Sequence, residues 1–299
     1  MAEPANTPYR CGYVSLIGRP NVGKSTLLNA LLGEKVAIVS PKPQTTRNRI
    51  VGIKTLPAAQ LVVLDTPGIH IPRHKLGERM VREASDTLHD VDVVLFLVEP
   101  VLPTAGDTAI LSSLAEVRKP VVLVVNKVDT VKKPELLPVI EAYAKLHAFR
   151  EVIPISALAG DGLDILQSVV VSLLPEGPKL YPEDLLTDQI ERFMATEIIR
   201  EKIMQQTDDE IPYSVAVEVL TWKEKREGLV VIQANIYVER DSQKGIIIGE
   251  NGARLKEIGT AARGDIERLL GTKVFLELWV KVKKDWRNDE RALKELGFE

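Results

Sequence analysis

The stretch Gly18-Arg19-Pro20-Asn21-Val22-Gly23-Lys24-Ser25 follows the apolar run Tyr13–Ile17 and opens the amphipathic run Ser25–Leu32. Its glycines let the backbone curl so that successive N–H groups face one point. The helix behind it adds the positive end of its dipole. A strand, such a loop and a helix in that order form a cradle for a polyphosphate. Lys24 is placed to neutralise the β- and γ-phosphates, and the Ser25 hydroxyl can ligate Mg²⁺. Thr26 continues the turn as a further contact residue.

A cradle of this kind needs a sheet edge to sit on, and the first ~175 residues supply it. Short β-branched runs (Tyr13–Ile17, Leu61–Leu64, Val91–Val98, Val121–Val125, Val152–Ile155) are nearly continuous in apolar residues. This is the pattern of strands buried on both faces of a mostly parallel sheet. Helical stretches are expected between them at Ser25–Leu32, Lys75–His89, Thr108–Arg118, Leu136–His147 and Leu163–Leu174, with extended pieces at Lys35–Val39 and Arg49–Thr55. The reading is an α/β fold with helices on both faces, its site in the loops at the carboxyl ends of the strands.

Three of those loops carry chemistry. Asp65-Thr66-Pro67-Gly68 ends a strand with a carboxylate that can hold Mg²⁺ through water and a glycine whose N–H can approach the γ-phosphate. Asn126-Lys127-Val128-Asp129 follows Val121–Val125. Guanine presents two donors on one edge, N1–H and the N2 amine, and a carboxylate such as Asp129 accepts both. Adenine would leave that carboxylate unpaired, at a cost of a few kcal/mol. Asn126 can bridge base and phosphate loop, and the Lys127 stem can lie along the base plane. Ser156-Ala157-Leu158 would set a backbone N–H near guanine O6. Thr45-Thr46-Arg47 lies where a mobile loop could close on the nucleotide, with Thr46 favoured over Thr45 as the residue that ligates Mg²⁺ when a γ-phosphate is present.

These stretches, in this order, resemble the GTP-binding domain of small Ras-like GTPases. The forms Gly18–Ser25, Asp65–Gly68 and Gln44-Thr45-Thr46-Arg47 resemble the bacterial Era group. The resemblance implies GTP and GDP as ligands, Mg²⁺ as cofactor, and catalysis resting on Lys24, Thr46 and the Gly68 backbone. Ras-like enzymes orient the attacking water with a glutamine after that glycine; here Ile69 stands there, which implies slow intrinsic hydrolysis. Asn21 is the residue type related GTPases use to hold K⁺, so a K⁺ role is carried as an expectation.

Beyond Leu174 the character changes. Leu174–Asp184 holds three prolines and a glycine and reads as linker. A helix at Asp188–Met204, strands at Ser214–Thr221 and Leu229–Val238, short helical stretches after Gly252 and around Arg263–Leu270, and a strand at Val274–Lys283 follow. A last helical turn is expected at Arg291–Glu295. Gly249-Glu250-Asn251-Gly252, followed by Arg254 and Lys256, can lie against a sugar-phosphate backbone, with Ile246–Ile248 as an apolar wall for bases. The order resembles a type II KH domain, the RNA-binding module of the Era group, with Gly249, Glu250, Asn251, Gly252, Arg254 and Lys256 as the implied RNA contacts. The expected domains are residues 1–178 for GTP binding, 179–196 for linker and first helix, and 197–299 for the α+β KH domain and tail.

Net charge is −3, yet Lys244–Arg287 carries 10 basic residues against 6 acidic ones. Lys281, Lys283 and Lys284 beside Trp279 and Trp286 read as either a polyanion patch or a solvated face over core tryptophans. The single cysteine, Cys11, excludes an intrachain disulfide and a Cys-rich metal site, and His70, His74, His89 and His147 lack metal-ligand spacing. Met1–Arg10 holds no signal-peptide core and no apolar run reaches the ~18 residues of a membrane span. The expectation is a cytoplasmic monomer, with peripheral contact at the inner face of the membrane left open. The resemblance implies small-subunit ribosomal RNA near its 3′ end as the RNA and small-subunit assembly as the process. The alternatives are an RNA-binding chaperone whose nucleotide site is mainly structural, or another ribosome- or tRNA-associated GTPase.

Overall fold

The apolar runs of the first half form one six-stranded sheet in a computed structural model that describes Pro8–Arg226 and Gly228–Phe298. Residues 1–7 of the N-terminal stretch, Glu227 and Glu299 lie outside the described residues. The strands are β1 (Arg10–Ile17), β2 (Ile50–Thr55), β3 (Ala59–Asp65), β4 (Val93–Val98), β5 (Val121–Val125) and β6 (Glu151–Pro154). Their order is β2-β3-β1-β4-β5-β6. Only β2 is antiparallel, against β3; β1, β3, β4, β5 and β6 run parallel. Every residue of β4 and β5 is buried, because helices cover both faces and the two strands lie inside the sheet. The helices are α1 (Lys24–Leu32), α2 (Lys75–Asp86), α3 (Ala105–Leu114), α4 (Lys133–Ala144) and α5 (Leu163–Leu173).

Two local readings are corrected. Lys35–Val39 forms no strand: the Asn29 side chain takes the Val36 and Ala37 N–H groups (2.9 Å each) and returns a hydrogen bond to the Ala37 carbonyl, so the chain turns there. Helix α3 begins at Ala105, three residues before Thr108, because Thr104 and Asp107 cap it reciprocally.

The chain divides into two compact units: residues 1–37, 46–71 and 80–188, and residues 38–45, 72–79 and 189–299. The Pro-rich segment after Leu174 is not a free tether; it is bound along the first unit as far as Asp188. The Ile53 N–H donates to the Leu186 carbonyl (2.8 Å) and the Thr187 hydroxyl to that of Val51 (2.6 Å), which occupies edge strand β2. The buried Gln60 amide takes the N–H groups of Leu180 (2.8 Å) and Tyr181 (3.0 Å) and donates to the Tyr181 carbonyl (2.9 Å).

The second unit is α+β. It contains α6 (Glu191–Gln206), α7 (Ile211–Ser214), α8 (Asp241–Ile248), α9 (Ala253–Leu270) and α10 (Glu290–Glu295). Its sheet is β7 (Ala216–Arg226), β8 (Leu229–Val238) and β9 (Lys273–Val282) in that order, β7 antiparallel and β9 parallel to β8. Alternate residues of β8 and β9 join Ile199, Ile203, Ile258, Ala262 and Ile266 of the helices in one core. The two helical stretches expected after Gly252 are a single 18-residue helix, α9, since Gly259 and Gly264 are carried within it. The same unit takes in the segment 38–45: the Val39 N–H donates to buried Glu201 (3.1 Å), and the Lys42 ammonium caps the end of α6 at the Met204 carbonyl (2.7 Å).

Among the described residues no helix is long and apolar enough to cross a membrane, and no cluster of three or more His, Cys, Asp or Glu forms a metal site. Cys11 is free and buried.

Candidate nucleotide and nucleic-acid sites

Strands β1, β3, β4, β5 and β6 end on one edge of the first sheet, so the loops that follow them are neighbours. α1 opens at Gly23 with no side-chain cap, leaving its first N–H groups for another partner. Lys24 is buried and donates to the Gly18 and Arg19 carbonyls (3.1 Å each), closing the loop on itself. Burial pulls its ammonium down to about 8, against the opposite pull of Asp65. Burial also pushes the Asp65 carboxyl up, against Lys24 and the Ser25 and Thr46 hydroxyls. An anion beside Lys24 and a cation beside Asp65 would reverse both shifts.

Asp65 Oδ2 accepts from Ser25 (2.5 Å) and Thr46 (3.3 Å), and the two hydroxyl oxygens are 2.8 Å apart. Asp65 Oδ1 is buried with no hydrogen-bond partner. One carboxylate and two hydroxyls around an unpaired oxygen fit a hard cation such as Mg²⁺. Thr45 instead donates to the Lys42 carbonyl (2.7 Å), so of the two threonines the structure brings Thr46 to this cluster.

Gly68 explains how the loop after β3 approaches the phosphate loop. A Cβ there would lie 2.6 Å from the Pro20 nitrogen and 2.8 Å from its Cα, so only glycine fits. The next residue donates its backbone N–H to the Gly18 carbonyl (3.2 Å), while the Ile69 side chain packs against the core. Thr66 is fully buried and donates to the Leu16 carbonyl (2.8 Å), and Pro67 is buried beside it.

Asn126 is the hub of the base-reading side. Its Nδ2 donates to the Val22 carbonyl (2.8 Å), and its Oδ1 accepts from the Ala157 N–H (2.9 Å). It thereby joins the phosphate loop, the loop after β5 and the loop after β6. Of the Ser156–Leu158 stretch, expected to set a backbone N–H near a guanine carbonyl, the Ala157 N–H is committed to Asn126. Ser156 is fully buried and accepts from the Ala159 N–H (3.1 Å); Leu158 is exposed. Lys127 adopts φ 63° and pairs with Glu99 (2.6 Å). Asp129 is exposed. Asn21 is exposed with φ 66°, and Thr26 is half-buried on α1. Sequence reasoning missed Glu99 and Asp107. Both bind Arg19, and no motif marks them.

In the second unit Gly249 ends α8 and Gly252 precedes α9, with Asn251 between them at φ 51°. The backbone has positive φ at Gly249, Asn251 and Gly252, which favours glycine at the two ends of the loop. Glu250, Asn251 and Lys256 are exposed. Arg254 donates to the Ile246 carbonyl (2.7 Å), so part of its donor set is spent on the end of α8. Of the apolar wall, Ile246 is exposed and Ile248 half-buried, while Ile247 lies in the core. Trp286 is core: it is fully buried and donates to the Ser214 carbonyl (2.9 Å). The lysine-and-tryptophan patch therefore loses Trp286, and Lys283 is paired with Glu295 (2.7 Å).

Residues 13–127 match the family described as 50S ribosome-binding GTPase, and residues 210–287 match the KH domain family. A GTPase Era from Geobacter metallireducens is 57% identical over 98% of this chain and 99% of its own length. One from Ruminiclostridium cellulolyticum is 55% identical over 97% of this chain and 98% of its own length. A crystal structure of Era in complex with MgGDPNP and nucleotides 1506–1542 of 16S ribosomal RNA superposes with TM-score 0.94 at 44% identity, covering 97% of this chain and 99% of that one. A crystal structure of an Aquifex aeolicus Era variant bound to GDP·AlF4⁻ gives the same TM-score, identity and coverage. With relatives this similar over nearly their whole length, and with a P-loop GTPase domain followed by a KH domain, this chain belongs to the GTPase Era family.

Proposed function

We propose that this protein is a Mg²⁺-dependent GTPase switch that binds small-subunit ribosomal RNA near its 3′ end and acts in assembly of the small ribosomal subunit. The observation that carries the nucleotide half is the Ser25–Thr46–Asp65 cluster beside Lys24, with one buried carboxylate oxygen left over. The relatives crystallised with MgGDPNP and 16S ribosomal RNA, and with GDP·AlF4⁻, support both halves of the reading.

In this reading residues 18–26 and the Gly68 N–H hold the phosphates, with Lys24 on the last two. Ser25, Thr46 and Asp65 hold Mg²⁺, which would screen the charge of the phosphates. Asp129 reads guanine, and Asn126, Lys127 and the loop 156–158 frame it. Ile69, turned into the core, cannot orient water as a glutamine would, so hydrolysis is slow. The loop Gly249–Gly252 with Arg254 and Lys256 takes the RNA backbone. The protein works in the cytoplasm, and its GTP-binding part extends to Asp188 because the Pro-rich segment is bound to it.

Glu250 tests the RNA half. Its carboxylate is exposed on a loop read as facing phosphates. Two unit charges ~6 Å apart at an effective dielectric of ~40–80 repel by roughly 1 kcal/mol. Glu250→Lys is expected to tighten binding of a short single-stranded RNA several-fold at moderate salt and to steepen the salt dependence by up to about one unit. GTP affinity should stay unchanged. The measurement is a salt titration of RNA affinity, wild type beside variant. Superimposed curves would place Glu250 away from the RNA and count against this loop as the contact.

A further inference from the structure

We infer that Glu99 is a positioning residue for the nucleotide site, aligning the Lys127 stem of the base-reading loop with a carboxylate that also faces Arg19 of the phosphate loop; the inference rests on the GTP-binding reading above. Glu99 stands one residue past β4, the strand between β1 and β5 in the sheet. The loop it begins therefore lies between the two loops that would hold the phosphates and the base. Its carboxylate uses both oxygens: Oε1 accepts from Lys127 Nζ (2.6 Å), and Oε2 lies 3.7 Å from the Arg19 guanidinium.

Arg19 is held from a second side. Its Nε donates to Asp107 Oδ1 (2.8 Å), and Asp107 is fully buried while its Oδ2 accepts from the Thr104 N–H (2.9 Å) and hydroxyl (2.6 Å). Space is reserved for the arginine, since a Cβ on Gly106 would lie 2.9 Å from Arg19 Cδ. The side chain of Arg19 is thus turned to α3 and Glu99, and its carbonyl is left to receive Lys24. At the other end, Lys127 sits at φ 63°, a left-handed conformation that a non-glycine residue keeps only when neighbours impose it. The Thr130 N–H (3.0 Å) and hydroxyl (2.7 Å) donate to the Lys127 carbonyl and the Ile155 carbonyl accepts from the Val128 N–H (3.2 Å), which fixes the backbone, while Glu99 holds the ammonium. A lysine whose head is pinned presents its stem as a fixed shelf for a base plane, with the ordering cost met before ligand arrives. The link through Asn126 joins the same two loops by a different route, so Glu99 adds alignment of Lys127 rather than the connection itself.

The test is equilibrium binding of fluorescent GTP and GDP to the full chain, with steady-state hydrolysis, in wild type, Glu99→Ala, Lys127→Met and the double variant. A half-exposed charged pair predicts roughly two- to fivefold weaker binding in Glu99→Ala. The loss should be the same for GTP and GDP because it acts at the base, and should appear in KM rather than kcat. Acting through Lys127 means that the double variant binds as Lys127→Met does. Wild-type affinity in Glu99→Ala would overturn the inference. So would a double variant whose loss is the product of the two single losses. Glu99→Gln, which keeps shape and one acceptor oxygen, repeats the comparison if the alanine variant does not fold; it should lose part of the affinity, and wild-type affinity there would overturn the inference equally. If the wild type binds no guanine nucleotide, the GTP-binding reading fails and not this link alone.

Discussion

Replacing Asp129 with asparagine is expected to move the protein from GTP toward xanthosine triphosphate. Asp129 is an exposed carboxylate on the turn that follows β5, beside Asn126, which is locked between the Val22 carbonyl and the Ala157 N–H. The turn is therefore anchored while its carboxylate stays available. Guanine offers two donors to that carboxylate. An amide can accept from one and opposes the other with its own N–H₂. Hydrogen bonds to a charged group contribute about 1.5–3 kcal/mol each, so losing one and opposing one weakens GTP by about a hundredfold or more. Xanthine carries a carbonyl where guanine has the amine, and the amide can donate to it. Competition binding with the two triphosphates reads the change. Unaltered GTP affinity in Asp129→Asn would remove the base-reading role from this residue.

Lys24→Ala is expected to abolish measurable hydrolysis and to weaken GTP more than GDP. The ammonium is buried, bound to two carbonyls of the loop it closes, and lowered in pKa by that burial. Such a group gains when a phosphate arrives, because the anion replaces solvation the protein has removed. It gains most from the γ-phosphate oxygens on which charge shifts during transfer. Removing one preorganised donor of this kind costs ~10²–10³ in turnover, and removing a full charge costs at least that. Folding should survive, since the substitution takes an ionised group out of a buried place. Nucleotide affinities and single-turnover hydrolysis measure it. Equal loss of GTP and GDP with hydrolysis retained would make Lys24 a structural lysine.

The first unit was legible because its information is local and ordered. The interior strands β4 and β5 are short runs of Val, Leu and Phe, and the loops 18–26, 65–68 and 126–129 each follow a strand end, so their residue types and order could be read locally. What escaped is held by side chains far apart in the chain. Arg19 meets Asp107 across 88 positions, and Glu99 meets Lys127 across 28, with nothing in the local pattern to announce either. The Pro-rich segment was misread for a related reason. Its composition signals a tether, but Gln60, 120 positions earlier, binds its backbone and turns it into a fixed edge. In the second unit two glycines broke the periodicity of α9, which packing of Ile258, Ala262 and Ile266 restores. Two adjacent threonines look alike in the sequence, which only favours Thr46 over Thr45, and the geometry separates the two by what each hydroxyl meets.

The central claim is that this chain couples a working GTPase site to an RNA-binding KH domain. Its most direct test is phosphate release from GTP by the full chain in Mg²⁺, alone and with single-stranded RNA matching the 3′ end of small-subunit ribosomal RNA. The account predicts RNA binding together with slow, Mg²⁺-dependent turnover, on the order of minutes or longer per cycle without a partner. A protein that binds this RNA yet releases no phosphate from GTP under either condition would contradict it, and would be an RNA chaperone with a structural nucleotide site.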